Sequence, residues 1–279
     1  MDAINLQGVS KHFKSFSLGK LSFTLPEGSV MGLIGENGSG KTTLLKLILN
    51  SLHKDEGCIE VFGKGQDKDF YKLKEDIGVV METASFSPFL NAVEVEKVMS
   101  GIFRNWDREE YYSYLKKFSI PEKTKFKELS KGSKMKLYIA VALSHKAKLL
   151  ILDEPTSGLD PVAREDFLDI IWNFTRDEHN TVLISSHIVS DLEKICDYIT
   201  FLHQGKIILS YEKDKLIESF GTIQCTEENF KELDGDIIIG SRKSPYGVEA
   251  LIDKRKAPDL ETNPASLEEI FVYMVKGDN

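Results

Sequence analysis

A glycine-rich loop between a buried strand and a helix limits the fold of this chain more than any other segment. Residues 29–35 read SVMGLIG, an apolar run of the kind that forms a buried strand, and KTTLLKLILNSL, residues 41–52, has a helical period. The loop that joins them, GENGSGKT at residues 35–42, has the pattern G-x-x-x-x-G-K-[ST]. Glycines in such a loop let the backbone wrap around an anion, so that its N–H groups and the positive end of the helix point at phosphate oxygens. The sequence therefore predicts a nucleotide-binding α/β domain.

Two side chains of this loop and two carboxylates farther along the chain are candidates for a phosphate and metal site. In such a loop the lysine, here Lys41, reaches the β- and γ-phosphates, and the hydroxyl of Thr42 binds Mg²⁺. A second apolar strand, LLILDE, ends in Asp153 and Glu154. Asp153 suits the metal, and Glu154 suits a general base that deprotonates the attacking water. Alone, the pair would read as ordinary carboxylates at a helix N-terminus; the phosphate loop upstream favours the catalytic interpretation.

A third apolar strand, TVLISSH at residues 181–187, ends in a histidine. A single histidine at a strand end is usually a hydrogen-bonded or solvated side chain with no catalytic role. Here the strand is expected to lie beside the other two, with its carboxyl end in the crevice where α/β sheets bind ligands. His187 is then a candidate catalytic residue that donates a hydrogen bond to the γ-phosphate or to the attacking water.

Strands alternate with helices along most of the chain, which predicts a largely parallel sheet. Residues 1–35 look rich in β-strand. Helices are predicted over residues 161–180, with Pro161 in the first turn, and over residues 188–199.

The same pattern divides the chain into two parts. Residues 1–214 are predicted to form the nucleotide-binding domain, in which residues from about 83 to 147 form a helical subdomain. Residues 215–279 contain short strand-like runs around turn residues and end in a helical pattern. We expect this second part to be a small α+β appendage.

Composition excludes several other classes of protein. The net charge of −8 argues against general coating of nucleic acid, so no nucleic-acid partner is expected. No uninterrupted apolar run approaches the roughly 18–20 residues that span a bilayer. Cys58, Cys196 and Cys225 are scattered and form no C-x-x-C pair, which predicts reduced thiols in a cytoplasmic protein and neither a zinc site nor a disulfide framework.

Taken together, the motifs resemble those of the ATP-binding subunit of ATP-binding-cassette (ABC) transporters over roughly residues 3–210. GENGSGKT matches the Walker A loop, and LLILDE matches the Walker B strand. SGLD at residues 157–160 matches the D-loop, LSKGS at residues 129–133 is a variant of the LSGGQ signature, and His187 matches the switch histidine. The resemblance implies nucleotide contacts from the loop residues Gly35, Glu36, Asn37, Gly38, Ser39, Gly40, Lys41, Thr42 and Thr43.

The resemblance also implies nucleotide contacts outside that loop. In the family the signature serine and glycine, here Ser130 and Gly132, bind the γ-phosphate held by the other subunit, as suits small residues at a helix N-terminus. Asp160 of the D-loop belongs to the same set. Phe13 stands where the family stacks an aromatic ring on adenine. Two alternatives stay open, namely that Phe13 is a core residue of its strand and that Phe16 stacks instead.

This sequence departs from the family pattern in the signature and in the Q-loop. Lys131 and Ser133 replace the usual glycine and glutamine of the signature. Glu82 stands at the position of the Q-loop glutamine. A carboxylate there can bind Mg²⁺ or water, but it adds negative charge beside the phosphates. Glu82 is therefore a third candidate metal ligand, with Thr42 and Asp153.

The function implied by the resemblance is ATP hydrolysis, with ATP and Mg²⁺ as cofactors, coupled to transport. Two subunits, identical or paralogous, would hold two ATP between them, and their closing and opening would drive a separate transmembrane subunit. The chain would then lie on the cytoplasmic side of the membrane. The signature variant, the single cassette and the ending PASLEEIF resemble exporters of drugs, antibiotics, lipids or peptides. A regulatory ATPase that acts by binding instead of pumping stays open.

Residues 83–99 are predicted to contact the membrane subunit. Phe86, Phe89 and Leu90 cluster around Pro88 and could line an apolar groove for a helix of that partner. The alternative is that the three side chains form the core of the helical subdomain.

Overall fold

The structure, a computed structural model, describes residues 1–67, 70–81, 86–245 and 247–276. Glu82 and the first residues of the segment predicted to contact the membrane subunit lie outside these ranges. The strands of the described residues are β1 (Asp2–His12), β2 (Ser17–Pro26), β3 (Val30–Ile34), β4 (Glu56–Val61), β5 (Lys64–Gly65), β6 (Ile77–Val80), β7 (Leu149–Asp153), β8 (Thr181–Ser186), β9 (Tyr198–His203), β10 (Lys206–Glu212), β11 (Phe220–Cys225), β12 (Ile238–Ser244), β13 (Gly247–Asp253) and β14 (Asn263–Pro264).

The α-helices are mostly short, and the longest follow the signature and the D-loop. In the described residues they are α1 (Lys41–Ile48), α2 (Phe70–Leu73), α3 (Ala92–Ser100), α4 (Arg108–Lys117), α5 (Lys131–Leu143), α6 (Pro161–Phe174), α7 (Val189–Ile195), α8 (Lys213–Ser219), α9 (Glu227–Glu232) and α10 (Leu267–Lys276). Among the described residues, none of these helices has the length and apolar character needed to cross a membrane.

A six-stranded sheet with the order β10-β9-β3-β8-β7-β6 forms the centre of the protein. Its strands are parallel except for β10, which pairs antiparallel with β9 at one edge. Every residue of β3, β7 and β8 is buried, because helices or a second sheet cover both faces. The three buried strands run in the same direction. The glycine loop, the Asp153–Glu154 pair and His187 therefore all lie at the carboxyl ends of these strands. The predicted parallel α/β fold is confirmed.

Two apolar clusters hold this sheet between its neighbours. One joins a face of the sheet to α1 and to the antiparallel sheet β2-β1-β4-β5. The other joins the opposite face to α3, α4, α5 and α6. The first cluster fixes the helix that begins in the glycine loop, and the second fixes the helices that begin at the signature and at the D-loop.

The predicted helix over residues 188–199 is wrong at its C-terminal end. Helix α7 ends at Ile195, and Tyr198 begins β9, whose central residues are buried. The segment YITFLH is rich in β-branched and aromatic residues, which suit a strand. Its backbone pairs in parallel with β3, and that pairing overrides the helical continuation.

The C-terminal residues pack against the sheet of the nucleotide-binding part. Strands β11 to β14 form a four-stranded antiparallel sheet, and α10 buries Leu267, Ile270 and Phe271 in the same cluster as Phe201 and Leu192. The strands and helices agree with the expected α+β content. A domain boundary between residues 214 and 215 stays a proposal.

The central strands should carry much of the stability. Leu33 of β3 is 0% exposed, so Leu33→Ala removes packing on all sides and should lower the free energy of unfolding by about 2–5 kcal/mol. Ile208→Ala is the matched control, because Ile208 of edge strand β10 is 39% exposed and should cost about 1 kcal/mol or less. Urea denaturation followed by circular dichroism measures both. Equal losses would contradict the assignment of β3 to the core.

Candidate functional site

The glycine loop has a backbone that only glycine can follow at two of its positions. Gly38 has φ +84° and Gly40, the residue before α1, has φ +109°, which is the left-handed region. A Cβ added at Gly40 would lie 2.5 Å from Leu18 and 2.8 Å from the ring of Phe16. A Cβ at Gly35 would lie 2.4 Å from the carbonyl oxygen of Leu202. Glycine therefore permits both the turn of the loop and its close approach to β2 and β9.

Lys41 is buried at the centre of the loop, with only 6% of its side chain exposed. Its Nζ donates to the carbonyl oxygens of Gly35, at 2.6 Å, and Glu36, at 3.3 Å. The same ammonium lies 3.0 Å from Oε1 of Glu154, with which it forms an ion pair. The lysine thus has oxygen partners from its own loop and from the end of β7.

Asp153 is held between two hydroxyl groups. The Oγ1 atom of Thr42 donates to Oδ2 at 2.7 Å, and Oγ of Ser185 donates to Oδ1 at 2.7 Å. Asp153 is 1% exposed, and Ser185 is 0% exposed, so the carboxylate has a fixed orientation. Ser185 is a site residue that the sequence motifs do not single out, because only the pairing of β7 with β8 places it opposite Asp153.

The oxygen atoms of Thr42 and Asp153 fit Mg²⁺. This ion takes hard oxygen ligands, and it is commonly held by one or two protein side chains while phosphates and water supply the rest. In the described residues no group of three or more His, Cys, Asp or Glu side chains forms a complete metal site. A metal here would therefore depend on the nucleotide's own oxygens.

Glu154 connects the phosphate loop to His187. The Nδ1–H of His187 donates to Oε2 of Glu154 at 2.6 Å, and Oε1 faces Lys41. The backbone of Glu154 is left-handed, with φ +50°, and its N–H donates to Oγ of Ser185 at 3.1 Å. This turn, fixed by β8, directs the carboxylate back toward the loop. A carboxylate beside an anion-binding loop, with its second oxygen hydrogen-bonded to a histidine, can accept a proton from a water molecule next to a bound phosphate.

Two phenylalanines lie near the loop, and Phe16 is the nearer one. A cavity of about 470 Å³ beside the loop is lined by Phe16, Lys41, Thr42 and Glu154, among others. The ring of Phe13 stacks 6.4 Å from that of Phe16. Phe13 is 43% exposed, so the interpretation of Phe13 as a core residue is wrong. Phe16 thus lines the cavity, and Phe13 contacts it only through the ring of Phe16.

The signature and the D-loop both supply helix N-caps. Ser130 caps α5, and its Oγ accepts from the N–H of Ser133 at 3.1 Å. Asp160 caps α6 and accepts from the N–H of Ala163 at 2.9 Å. A Cβ added at Gly132 would lie 3.5 Å from Ala163, so the signature and the D-loop are neighbours.

Neither cap lines the cavity beside the glycine loop of its own chain. In the described part of the chain, Gly132 does not line that cavity either. The substituted Lys131 lies across the D-loop, since its Nζ would be 2.6 Å from a Cβ at Gly158. The structure thus brings together the glycine loop, Asp153, Glu154 and His187, and holds the signature and D-loop as a second group.

Comparison with known proteins gives one family. The family model described as ABC transporter matches residues 18–157. The uncharacterized ABC transporter ATP-binding protein YdbJ of Bacillus subtilis is 32% identical over 233 residues, which are 82% of this chain and 74% of YdbJ. The lantibiotic transport ATP-binding protein SrtF of Streptococcus pyogenes is 35% identical, over 76% of this chain and 91% of SrtF.

A solved structure of an ATP-binding subunit of an ABC transporter superposes with a TM-score of 0.70 at 25% identity, over 77% of this chain and 92% of that one. The family resemblance read from the sequence motifs is confirmed. The chain belongs to the ABC transporter family and is an ATP-binding subunit that hydrolyses ATP to drive transport.

Proposed function

We propose that this chain powers the export of an antimicrobial peptide or a related compound through a separate transmembrane subunit. The observation that carries the ATPase part of the proposal is the Glu154 carboxylate, held between Lys41 and His187 beside the glycine loop. The class of cargo is supported by similarity to SrtF, a lantibiotic transport protein. The chain would act at the cytoplasmic face of the membrane, attached through the transmembrane subunit.

Hydrolysis starts with an exchange of partners at Lys41. The phosphates of ATP bind the ammonium of Lys41, which leaves Oε1 of Glu154. That oxygen becomes free to accept a proton from the attacking water, while His187 holds Oε2 in place. Because Lys41 and Glu154 are nearly buried, their charges are weakly screened and the exchange is tightly coupled to phosphate binding.

Bound Mg²⁺ would be held by Thr42 and Asp153. The ion supplies neutralisation of charge on the phosphate oxygens. Ser185 keeps Asp153 in the orientation that presents Oδ2 to Thr42. Glu82 remains a predicted third ligand.

A second cassette completes the site. Ser130 and Gly132 lie at the N-terminus of α5, apart from the glycine loop of their own chain. The N–H groups at that end of the helix form an anion-binding site. This site would bind the γ-phosphate held by a second subunit, identical or paralogous. ATP drives closure because it binds the closed pair more tightly than the open one.

The transmembrane subunit would dock in an apolar groove between β6 and the helices α3 and α5. This cavity of about 590 Å³ is lined by Val79, Phe86, Met99, Ile102, Phe103 and Val141, among others. Phe86 packs on Phe126 and Tyr138 and so belongs to the helical core, whereas Phe89 is 65% exposed and Ile102 is 59% exposed. The core interpretation thus holds for Phe86, and contact with the partner stays a prediction for the exposed residues, which suit a short helix of that partner.

The role of Glu154 as general base is tested by one substitution. Glu154→Gln should lower the rate of ATP hydrolysis by about 10²–10⁴-fold, because a positioned general base is lost. ATP affinity should be kept or raised, since Lys41 loses the anion that competes with phosphate. Steady-state hydrolysis and equilibrium binding measure the two effects. Glu165→Gln, a change of an exposed carboxylate that pairs with Lys194, is the control and should leave both unchanged. Turnover at the wild-type rate in Glu154→Gln would remove Glu154 from the role of base.

The sharing of each nucleotide site between two subunits is tested with a mixed dimer. A Lys41→Ala chain is mixed with a Ser130→Arg chain. If Ser130 serves the partner's nucleotide, one composite site of the mixed dimer collects both lesions and the other keeps an intact Lys41 and an intact Ser130. The mixed dimer should then recover tight binding of one ATP, which neither mutant homodimer has.

Nucleotide occupancy is the readout of this test, because hydrolysis requires more than binding. If Ser130 served the glycine loop of its own chain, every site in the mixture would carry one lesion. Occupancy in the mixture would then be no higher than in the separate mutants, and the shared-site model would be rejected. Where the natural partner is a paralogous cassette, the two lesions are placed one in each protein.

The docking surface is tested by charge substitutions at two exposed apolar residues, Ile102, which lines the groove, and Phe89 of the segment predicted to contact the partner. Phe89→Asp and Ile102→Asp should each abolish copurification with the transmembrane subunit, because a charge buried in an apolar interface is costly. ATP binding and the unfolding temperature should be unchanged. The matched control is Trp172→Asp on α6, an equally drastic change at a side chain that is 57% exposed and lies outside the groove. Copurification that survives both variants would exclude this docking surface.

A further inference from the structure

The C-terminal helix α10 reaches the nucleotide site, far along the chain from the motifs that define it. A cavity of about 220 Å³ separates the helix from the switch histidine and the glycine loop. One wall is formed by the loop and the switch segment, and the other by one face of α10. The residues that matter are Gly35, Glu36 and His187 on the first wall and Phe271, Val272 and Val275 on the second.

Apolar packing anchors this helix. The ring of Phe271 lies 5.2 Å from that of Phe201 in β9, and Leu267 and Ile270 are 0% exposed. Helix α10 also packs on α7, which begins at Val189, two residues after His187. The switch segment, residues 187 and 188, therefore connects β8 to a helix that packs on α10.

A polar contact joins α10 to the glycine loop itself. The Nζ of Lys276 lies 3.9 Å from Oε1 of Glu36, and Nδ1 of His203 lies 3.7 Å from Oε2 of the same carboxylate. The carbonyl oxygen of Glu36 accepts from Lys41. Because the Lys276 side chain is 71% exposed, this ion pair is screened and contributes little, so apolar packing carries most of the support.

The other side of α10 contacts the C-terminal sheet. The hydroxyl of Tyr273 lies 3.4 Å from Oε2 of Glu249 in β13. The helix thus lies between that sheet and the nucleotide site. A shift of the C-terminal sheet would move the wall opposite His187.

We propose that α10 positions His187: the face of α10 that carries Val272 and Val275 keeps the switch segment in the geometry that hydrolysis needs. The proposal rests on the proposed role of His187 at the bound phosphate. His187 lies on the connection between β8 and α7, and α7 packs on α10, so the position of the histidine depends on where α10 holds that helix. A misplacement of about 1 Å at a reacting group can lower a rate by about 10²-fold. The C-terminal residues would in this way set the hydrolysis rate without contacting ATP.

The test uses the full chain with substitutions on the two faces of α10. Val272→Ala and Val275→Ala remove methyl groups from the wall opposite His187, whereas Met274→Ala removes a larger side chain that packs on the core and does not line the cavity. We expect kcat to fall about 3–10-fold in the two valine variants. The dissociation constant for ATP should stay within about twofold, since the phosphate loop keeps its ligands. Met274→Ala should leave kcat unchanged.

A double-mutant cycle separates positioning from general loosening. In a His187→Ala background, Val272→Ala should cause no further fall in single-turnover rate, because the group that it positions is gone. Val272→Thr, which keeps the shape of the side chain, should preserve kcat and serves if the alanine variants unfold. Additive losses in the cycle, or a fall in ATP affinity with kcat unchanged, would overturn the proposal. The wild-type rate and the loss in His187→Ala test the proposed function separately.

Discussion

The ion pair between Lys41 and Glu154 is the interaction on which the site depends. Both side chains are nearly buried, and removing such charges from water costs several kcal/mol per ion in proteins. Hydrogen bonds offset this cost: two carbonyl oxygens accept from Lys41, and His187 donates to Glu154. The pair occupies the place where phosphate is expected, so nucleotide binding and release of the base become one event.

The site requires three neighbouring parallel strands to end side by side. Strands β3, β7 and β8 deliver the glycine loop, the two carboxylates and the switch histidine to one edge. Ser185 of β8 then fixes both Asp153 and the backbone N–H of Glu154. A slip of one residue between β7 and β8 would turn Ser185 away from Asp153, because side chains alternate across a strand. Full burial of these strands prevents such a slip.

Local features of the site could be predicted from the sequence, because neighbouring residues determine them. The glycine loop, the caps Ser130 and Asp160, and Pro161 at the start of α6 follow from backbone preferences within a few residues. The end of α7 could not be predicted, since pairing with β3 decides it. The same holds for the approach of Phe16 to Gly40 and for Ser185, which depend on strands that are distant in sequence.

The placement of α10 shows most clearly what cannot be predicted from the sequence. Its apolar pattern predicts a helix that packs on something, but the pattern contains no information about the partner. Packing of Phe271 on Phe201, together with the buried Leu267 and Ile270, brings Val272 to the cavity that His187 also lines. The sequence pattern predicts a C-terminal region that is separate from the nucleotide site. In the structure, a helix of that region lies beside the site.

A crystal structure of the wild-type chain with a non-hydrolysable ATP analogue and Mg²⁺ would show whether Lys41 exchanges Glu154 for phosphate. We expect Nζ of Lys41 to lie within about 3.2 Å of phosphate oxygens and Oε1 of Glu154 to have lost its contact with Lys41. A structure in which phosphate is bound while Lys41 still pairs with Glu154 would contradict the exchange.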